Sequence, residues 1–248
     1  NAWGIAFSAP ASGSKLVLPG AKMDGESIYE LLDSEKVTFT AAVPTVWLML
    51  LQYLESTGKK LPYLKKVVIG GSAVPERILR AFEDVYDVEV IHAWGMTEMS
   101  PLGTAGTLKA RHAKLPKAER EALQAKQGRG IFGVEFRIVD ENGRELPWDG
   151  KAFGDLQVRG PWVIREYYRG EGGNPLQSEE RNRGWFPTGD VATLDPDGYM
   201  QITDRSKDVI KSGGEWISSI ALENAAMGHL VIGEAAVIGI AHPKRQER

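Results

Sequence analysis

Between residues 26 and 91, helical and strand-like segments alternate at short intervals, and this alternation constrains the fold more than any other feature of the chain. Residues 26–36 carry Ile28, Leu31 and Leu32 on one face of a predicted helix. The run 37–42 reads as a strand stopped before Pro44, and Thr45 stands where a helix N-cap belongs. Residues 46–56 are apolar nearly all round, the pattern of a buried helix. Lys66-Val67-Val68-Ile69 is a short strand ending at Gly70-Gly71. Pro75 opens a helix over 76–86 at the turn that tolerates proline, and 88–91 is the next strand. Strands joined through helices in this way pair in parallel, so this part is an α/β sheet.

Beyond about Pro101 the pattern changes. Residues 109–127 form a charged segment, a surface helix or lid starting at Pro116. From Gly133 period-2 patterning takes over: strands at 135–139 and 155–159, with a hairpin signal at Asn142-Gly143. Further strands fall at 191–194 and 199–203 around the turn Asp195-Pro196-Asp197-Gly198. A helix over 217–229 and a buried strand over 234–242 follow. The expected architecture is a parallel-sheet α/β region (1–130), a β-rich, barrel-like subdomain (131–204), a hinge with a glycine loop (205–216) and the start of a small α+β domain (217–248). Asn1 opens directly on an apolar stretch, and the last apolar run would leave its backbone unpaired, so both ends read as cut.

A net charge of -3 supplies no electrostatic footprint for nucleic acid. The longest apolar run, 46–51, is far too short to cross a bilayer. The absence of cysteine removes disulfides and thiol nucleophiles and fits a reducing cytoplasmic setting. His112, His229 and His242 are isolated, with neither metal-ligand spacing nor a nucleophile beside them. Kinase and P-loop glycine-lysine motifs are missing.

Four stretches could carry chemistry. Gly70-Gly71-Ser72-Ala73 lies between a strand and a helix, where glycine lets backbone approach a flat or anionic ligand; an ordinary turn explains it as well. His92-Ala93-Trp94-Gly95-Met96-Thr97-Glu98 sets a ring, a hydroxyl and a carboxylate just after a strand, at the sheet edge where ligands sit in open α/β folds. The plain alternative is a core Trp with a solvent-facing Glu. Gly184-Trp185-Phe186-Pro187-Thr188-Gly189-Asp190 ends in a loop carboxylate that could accept from two ribose hydroxyls or simply cap a turn. Residues 204–216 combine charges with a double glycine, the composition of a linker or a hinge.

Taken in order, Gly-Gly-Ser-Ala at 70–73, Trp-Gly-Met-Thr-Glu at 94–98, Thr-Gly-Asp at 188–190 and Asp-Arg-Ser-Lys-Asp-Val-Ile-Lys-Ser-Gly-Gly-Glu at 204–215 resemble the successive core motifs of adenylate-forming enzymes. The run 211–219, with Asn-Ala-Trp-Gly at 1–4, looks most like the medium- to long-chain fatty acyl-CoA synthetases. The resemblance implies that Gly71, Ser72 and Ala73 line adenine, with His92, Ala93, Trp94 and Gly95 completing the base site. It gives Thr97 to phosphate, Glu98 to the Mg2+ of ATP, and Asp190 with Arg205 to the ribose. Lys207 matches the hinge, Lys211 and Trp216 look like further nucleotide contacts, and Gly213 and Gly214 would face CoA. Trp3 resembles the gate of a fatty-acyl tunnel and Trp47 a wall of it.

The implied reaction uses ATP, Mg2+, CoA and a small carboxylic acid. A carboxylate attacks the α-phosphate, releasing pyrophosphate, and the CoA thiol then displaces AMP. Thr97 and Glu98 would be the catalytic pair here. An aryl or methylthio acid as substrate, or a nucleotide-binding remnant without activity, are the other readings, and a homodimer of the full-length protein is left open. Ala221 stands where relatives often carry an acidic residue. The family's phosphate loop and its C-terminal catalytic lysine are not found in the chain. The isolated 248-residue chain is therefore expected to give no ATP–pyrophosphate exchange, and exchange at normal turnover would refute that expectation.

Overall fold

In the computed structural model the described residues are 2–177, 180, 183–212, 215–227, 232, 235–243 and 246–247. They form two compact units, Asn1–Gly128 and Arg129–Arg248.

In the first unit β1 (Phe39–Ala42), β2 (Lys66–Ile69) and β3 (Glu89–Gly95) pair in parallel and in direct register, so Ala42, Ile69 and His92 stand side by side. The alternation read from the sequence is thus a parallel sheet. After a short apolar helix, α1 (Ile5–Ala11), come α2 (Gly25–Ser34) and α3 (Pro44–Thr57). Asp24 caps α2, its carboxylate accepting from the Ser27 amide at 2.9 Å. Thr45 is not the cap of α3: Pro44 occupies its first turn and Val43 precedes it in extended backbone. Proline's fixed φ and missing N–H suit that first position, which moves the start two residues earlier than expected. Gly58 closes α3 in the left-handed region at φ 69°, its amide reaching the Leu54 carbonyl at 2.9 Å.

Trp47, Leu50 and Leu54 of α3 are buried against Val67, Ile69, Ile78 and Phe82. Phe82 meets Trp47 edge to face at 5.8 Å, and the Trp47 indole donates to the Ala42 carbonyl at 3.1 Å. The helix expected over 76–86 is two pieces, α4 (Glu76–Arg80) and a wider π-turn over Ala81–Val85. There Glu83 accepts from the Val90 amide (3.3 Å) and from Gln124 Nε2 (2.6 Å), joining the π-turn to β3 and to α5 (Lys117–Gln124). Burial pushes the Glu83 carboxyl above its ordinary range, while these two hydrogen bonds pull the other way. β3 runs on through Gly95, longer than expected, and β4 (Leu102–Ala105) returns antiparallel beside it. β5 (Gly128–Gly130) lies at the boundary of the units.

In the second unit β6 (Glu135–Val139), β7 (Phe153–Arg159), β8 (Phe186–Leu194) and β9 (Tyr199–Arg205) make an antiparallel run in the order β9-β8-β7-β6. It is an open sheet and not a closed barrel. The Asn142-Gly143 turn forms as its sequence demands, with Gly143 at φ 78°. The Asp140 carboxylate accepts from the Asn142 and Arg144 amides at 2.8 and 2.9 Å, and such backbone donors hold it below the usual carboxylate range. The guanidinium groups of Arg137 and Arg159 both lie over the Trp185 ring, 4.5 and 4.4 Å from its centroid.

After β9 come β10 (Ile210–Ser212), β11 (Glu215–Ile217), α6 (Ser219–Met227), β12 (Ala241–His242) and β13 (Gln246–Glu247); the small sheet has the order β11-β10-β13-β12. The buried strand expected over 234–242 is not seen. Residues 235–240 lack regular structure, and Ile238 and Ile240 are 75% and 56% exposed. Extended backbone becomes a strand only where a ladder partner receives it, and here that is the pairing of Ala241–His242 with β13. No helix among the described residues is long and apolar enough to cross a membrane.

Phe82→Ala should destabilise the first unit by about 3–5 kcal/mol, because it empties a fully buried ring site. Urea unfolding followed by Trp fluorescence measures this, and a loss below about 1 kcal/mol would contradict the packing described.

Candidate functional site

The carboxyl ends of β2 and β3 open into a cavity of about 190 Å3, lined by Trp3, Gly70, Gly71, Ala93, Trp94, Gly95, Met96, Thr97, Pro101 and Leu102. Two glycines make it. Gly71 turns the chain out of β2 at φ 90°, a conformation that L side chains rarely adopt. A Cβ on Gly95 would run into the Pro101 carbonyl oxygen, so only glycine permits that crossing of β3 and the returning chain. A pocket that engulfs a small-molecule ligand has roughly 300–1,000 Å3, so this one is sized for part of a ligand, such as a planar ring.

The structure thus brings together Trp3, Gly71, Ala93, Trp94, Gly95 and Thr97 from the sequence-derived set. Trp3 sits at φ 49° in a kinked turn over Ala2–Gly4. Ser72 and Ala73 follow Gly71 in the same turn without lining the cavity, and Glu98 is in the one-turn helix Thr97–Met99 that closes its end. Trp47 stands apart, packed in the core under β1. Gly70, Met96, Pro101 and Leu102 are lining residues outside the sequence-derived set. Gly70 and Met96 stand inside the motif stretches 70–73 and 92–98, whereas Pro101 and Leu102 carried no sequence signal and are brought in where the chain returns into β4.

His92 lies behind the cavity. It is 1% exposed, with Nδ1 3.0 Å from the Ala125 carbonyl oxygen, and its buried Nε2 makes no hydrogen bond of good geometry. The Ser72 and Lys126 backbones also favour its charged form, but burial dominates and lowers its pKa from 6.5 to about 4. The imidazole is therefore neutral at pH 7 and stands between the Ser72 turn and the end of α5.

In the second unit Asp190 belongs to β8 itself, not to a loop, because β8 starts at Phe186. It is 5% exposed, and its Oδ1 lies 3.0 Å from Arg205, the residue directly opposite on β9. Its amide donates to Thr188 Oγ1 at 3.1 Å, and that hydroxyl donates to the Leu156 carbonyl at 2.9 Å. A carboxylate and a guanidinium so held present acceptors and donors side by side, the pattern that grips a vicinal diol. Beside them runs a groove of about 700 Å3 that includes Asp140, Asp155, Gln157, Gly189 and Ser206. It is the larger concavity, but Asp140 is engaged by its own turn, Asp155 by Ser206 Oγ (2.9 Å) and Gln157 by Arg137 (2.8 Å).

Lys207 is exposed in the turn after β9; the backbones of Lys211 and Trp216 are register partners in the β10–β11 ladder. Gly213 and Gly214 lie outside the described residues. Among the described residues no three His, Cys, Asp or Glu side chains cluster to hold a metal ion. An ion at Glu98 would need oxygens from a substrate, which is how magnesium is commonly held beside phosphates.

Residues 2–168 match the family model described as AMP-binding enzyme. The whole chain is 52% identical to the 3-methylmercaptopropionyl-CoA ligase of Ruegeria lacuscaerulensis, covering 45% of that protein. It is 50% identical to the medium-chain-fatty-acid–CoA ligase of Ectopseudomonas oleovorans and 49% identical to the long-chain-fatty-acid–CoA ligase of Thermus thermophilus, covering 44% and 45% of them. The chain thus spans less than half the length of these curated relatives. Among solved structures, o-succinylbenzoate CoA synthetase from Bacillus subtilis with its acyl-adenylate intermediate matches 97% of this chain and 46% of its own, at TM-score 0.78 and 25% identity.

Because folded His92 is neutral down to about pH 4 and unfolded His titrates near 6.5, the unfolded chain binds the extra proton between these values. Stability is then complete above pH 6.5 and falls with acidification, by up to about 3 kcal/mol at pH 4 from this group. Urea unfolding at pH 7.0 and 4.5 should show that loss, and His92→Gln should remove its share of the pH dependence. An unchanged pH dependence in the variant would contradict the buried neutral ring.

Proposed function

The chain belongs to the AMP-binding enzyme family, and on that premise we propose that the full-length protein is an AMP-forming acid–CoA ligase whose substrate is a medium- to long-chain fatty acid. The observation that carries the reading is the cavity at the ends of β2 and β3, where Gly71 of one motif meets Trp94 and Thr97 of the next. Trp94 supplies a face for the adenine ring and Gly71 lets backbone approach it. Thr97 donates to phosphate. Asp190 and Arg205 take the ribose hydroxyls, while Lys207, Lys211 and Trp216 serve as further contacts of the hinge segment with nucleotide. Gly213 and Gly214 are proposed for CoA.

Two anions meet in the first step, so charge neutralisation at the phosphates sets the rate. Glu98 would hold Mg2+ together with ATP oxygens; when bound, the ion offsets phosphate charge and orients the α-phosphorus. The acid's carboxylate oxygen then forms a bond to that phosphorus as the bond to pyrophosphate breaks. In the second step the CoA sulfur bonds to the acyl carbon, AMP leaves with the electron pair, and the thiol proton passes to solvent. Neither step needs a protein nucleophile, consistent with a chain that holds no cysteine.

Trp3, on the wall of the same cavity, is proposed to meet the acyl group. The buried position of Trp47 favours a structural part for it instead. A second reading, a short methylthio acid as substrate, is favoured by the 52% identity to a 3-methylmercaptopropionyl-CoA ligase.

Thioester formation by the full-length protein, measured on C4 to C16 fatty acids, 3-methylthiopropionate and an aryl acid, tests the substrate. The highest kcat/KM is expected on a fatty acid of C6 or longer; a maximum on 3-methylthiopropionate would favour the second reading, and no thioester with any acid would overturn both. Glu98→Gln should slow ATP–pyrophosphate exchange roughly a hundredfold at fixed magnesium, the scale of losing one electrostatic contact to a developing charge. Exchange within about twofold of wild type would remove Glu98 from that role.

A further inference from the structure

The pairing of β8 with β9 is interrupted once. Ala192 stands opposite Ile202, but Val191 stands opposite Asp204, leaving Thr203 as an extra residue on β9. The Thr203 hydroxyl donates to the Val191 carbonyl at 3.1 Å and holds this bulge in place. Without it the ladder would set Asp204 opposite Asp190, two carboxylates face to face. With it, Asp190 meets Arg205, and Asp204 turns to the opposite, buried face beside Val191.

Asp204 is 1% exposed, and a carboxylate in such a place needs strong donors. It has them from two directions. Oδ1 accepts from the Arg205 amide at 2.8 Å and from Ser219 Oγ at 3.0 Å, while Oδ2 accepts from the Ser219 amide at 2.7 Å. The neighbouring pair repeats the tie: Ser218 Oγ donates to the Thr203 carbonyl and accepts from the Ala221 amide. One buried carboxylate thus fixes both ends of the segment 205–219, the backbone of Arg205 at its start and the first turn of α6 at its close. The same Arg205 reaches Asp190 at 3.0 Å, although its own side chain is 54% exposed. An exposed arginine gains its geometry from its backbone, because its side chain has little packing to hold it.

We propose that Asp204 is a positioning residue for the nucleotide site: by gripping the Arg205 backbone and the start of α6 together, it holds the Arg205 guanidinium on Asp190 for the ribose diol. This rests on the ribose assignment made above and adds a residue to it that touches neither nucleotide nor acid. A residue that merely stabilised the fold would lower the folded fraction and leave substrate preference alone. A positioning residue changes which nucleotide is preferred.

The test is the preference of the full-length protein for ATP over 3′-deoxy-ATP, read as the ratio of kcat/KM values in pyrophosphate exchange, with Tm recorded alongside. Asp204→Asn sets an amide against N–H donors. It should raise KM for ATP about tenfold and cut the preference for ATP by a similar factor, the scale of losing a hydrogen bond to a charged group. Ser219→Ala removes one of three donors and should act in the same direction by about threefold. KM for the acid should not move in either variant. A folded Asp204→Asn protein that keeps the wild-type preference overturns the proposal, and should that variant fail to fold, an unchanged preference in Ser219→Ala does so. A wild-type protein that does not distinguish ATP from 3′-deoxy-ATP overturns the ribose assignment itself, and this proposal with it.

Discussion

The contact on which the candidate site depends is the one between two backbones at the ends of β2 and β3. A Cβ on Gly70 would lie 2.7 Å from the Ala93 carbonyl oxygen, so these strand ends approach as closely as main chain allows. That approach, continued by Gly71 in the left-handed region and Gly95 under Pro101, keeps side chains out of the space between the ends. What remains is a concavity with backbone of three glycines in its wall and the side chains of Trp3 and Trp94 among its lining. Parallel pairing places it there: three parallel strands point their carboxyl ends the same way, so the connections that follow them leave on the same side.

The second unit solves a different problem, that of holding a carboxylate in a mostly buried place with a cationic partner beside it. Asp190 manages through Arg205 opposite and through a backbone fixed by Thr188. The bulge at Thr203 sets the sign of that pairing, since a shift of one residue in a ladder exchanges every partner. Local irregularity of this kind is where a sheet departs from its ideal form to aim a side chain.

Much of the first unit was legible in the sequence because its signals are local. Helical periodicity in 26–36, the apolar character of 46–56 and the proline before 76 each name an element without reference to the rest of the chain. The errors have physical causes. Thr45 lost the cap of α3 because Pro44 is better suited to the first turn. The run 235–240 has the composition of a strand, but composition does not supply a ladder partner. Asp190 read as a loop residue because Pro187 and Gly189 look like a turn, whereas an antiparallel strand tolerates both at an irregular register. The candidate site was legible as motif order; the burial of His92 behind the cavity, the inward turn of Asp204 and the core position of Trp47 were not, because each depends on contacts distant in sequence.

The central claim is that the cavity at the ends of β2 and β3 receives the base of a nucleotide. Photolabelling of the full-length protein with 8-azido-ATP, followed by peptide mapping, tests this most directly. The account predicts label on residues 70–73 or 92–97, suppressed by excess ATP. Label suppressed by ATP but carried wholly by other segments would contradict it.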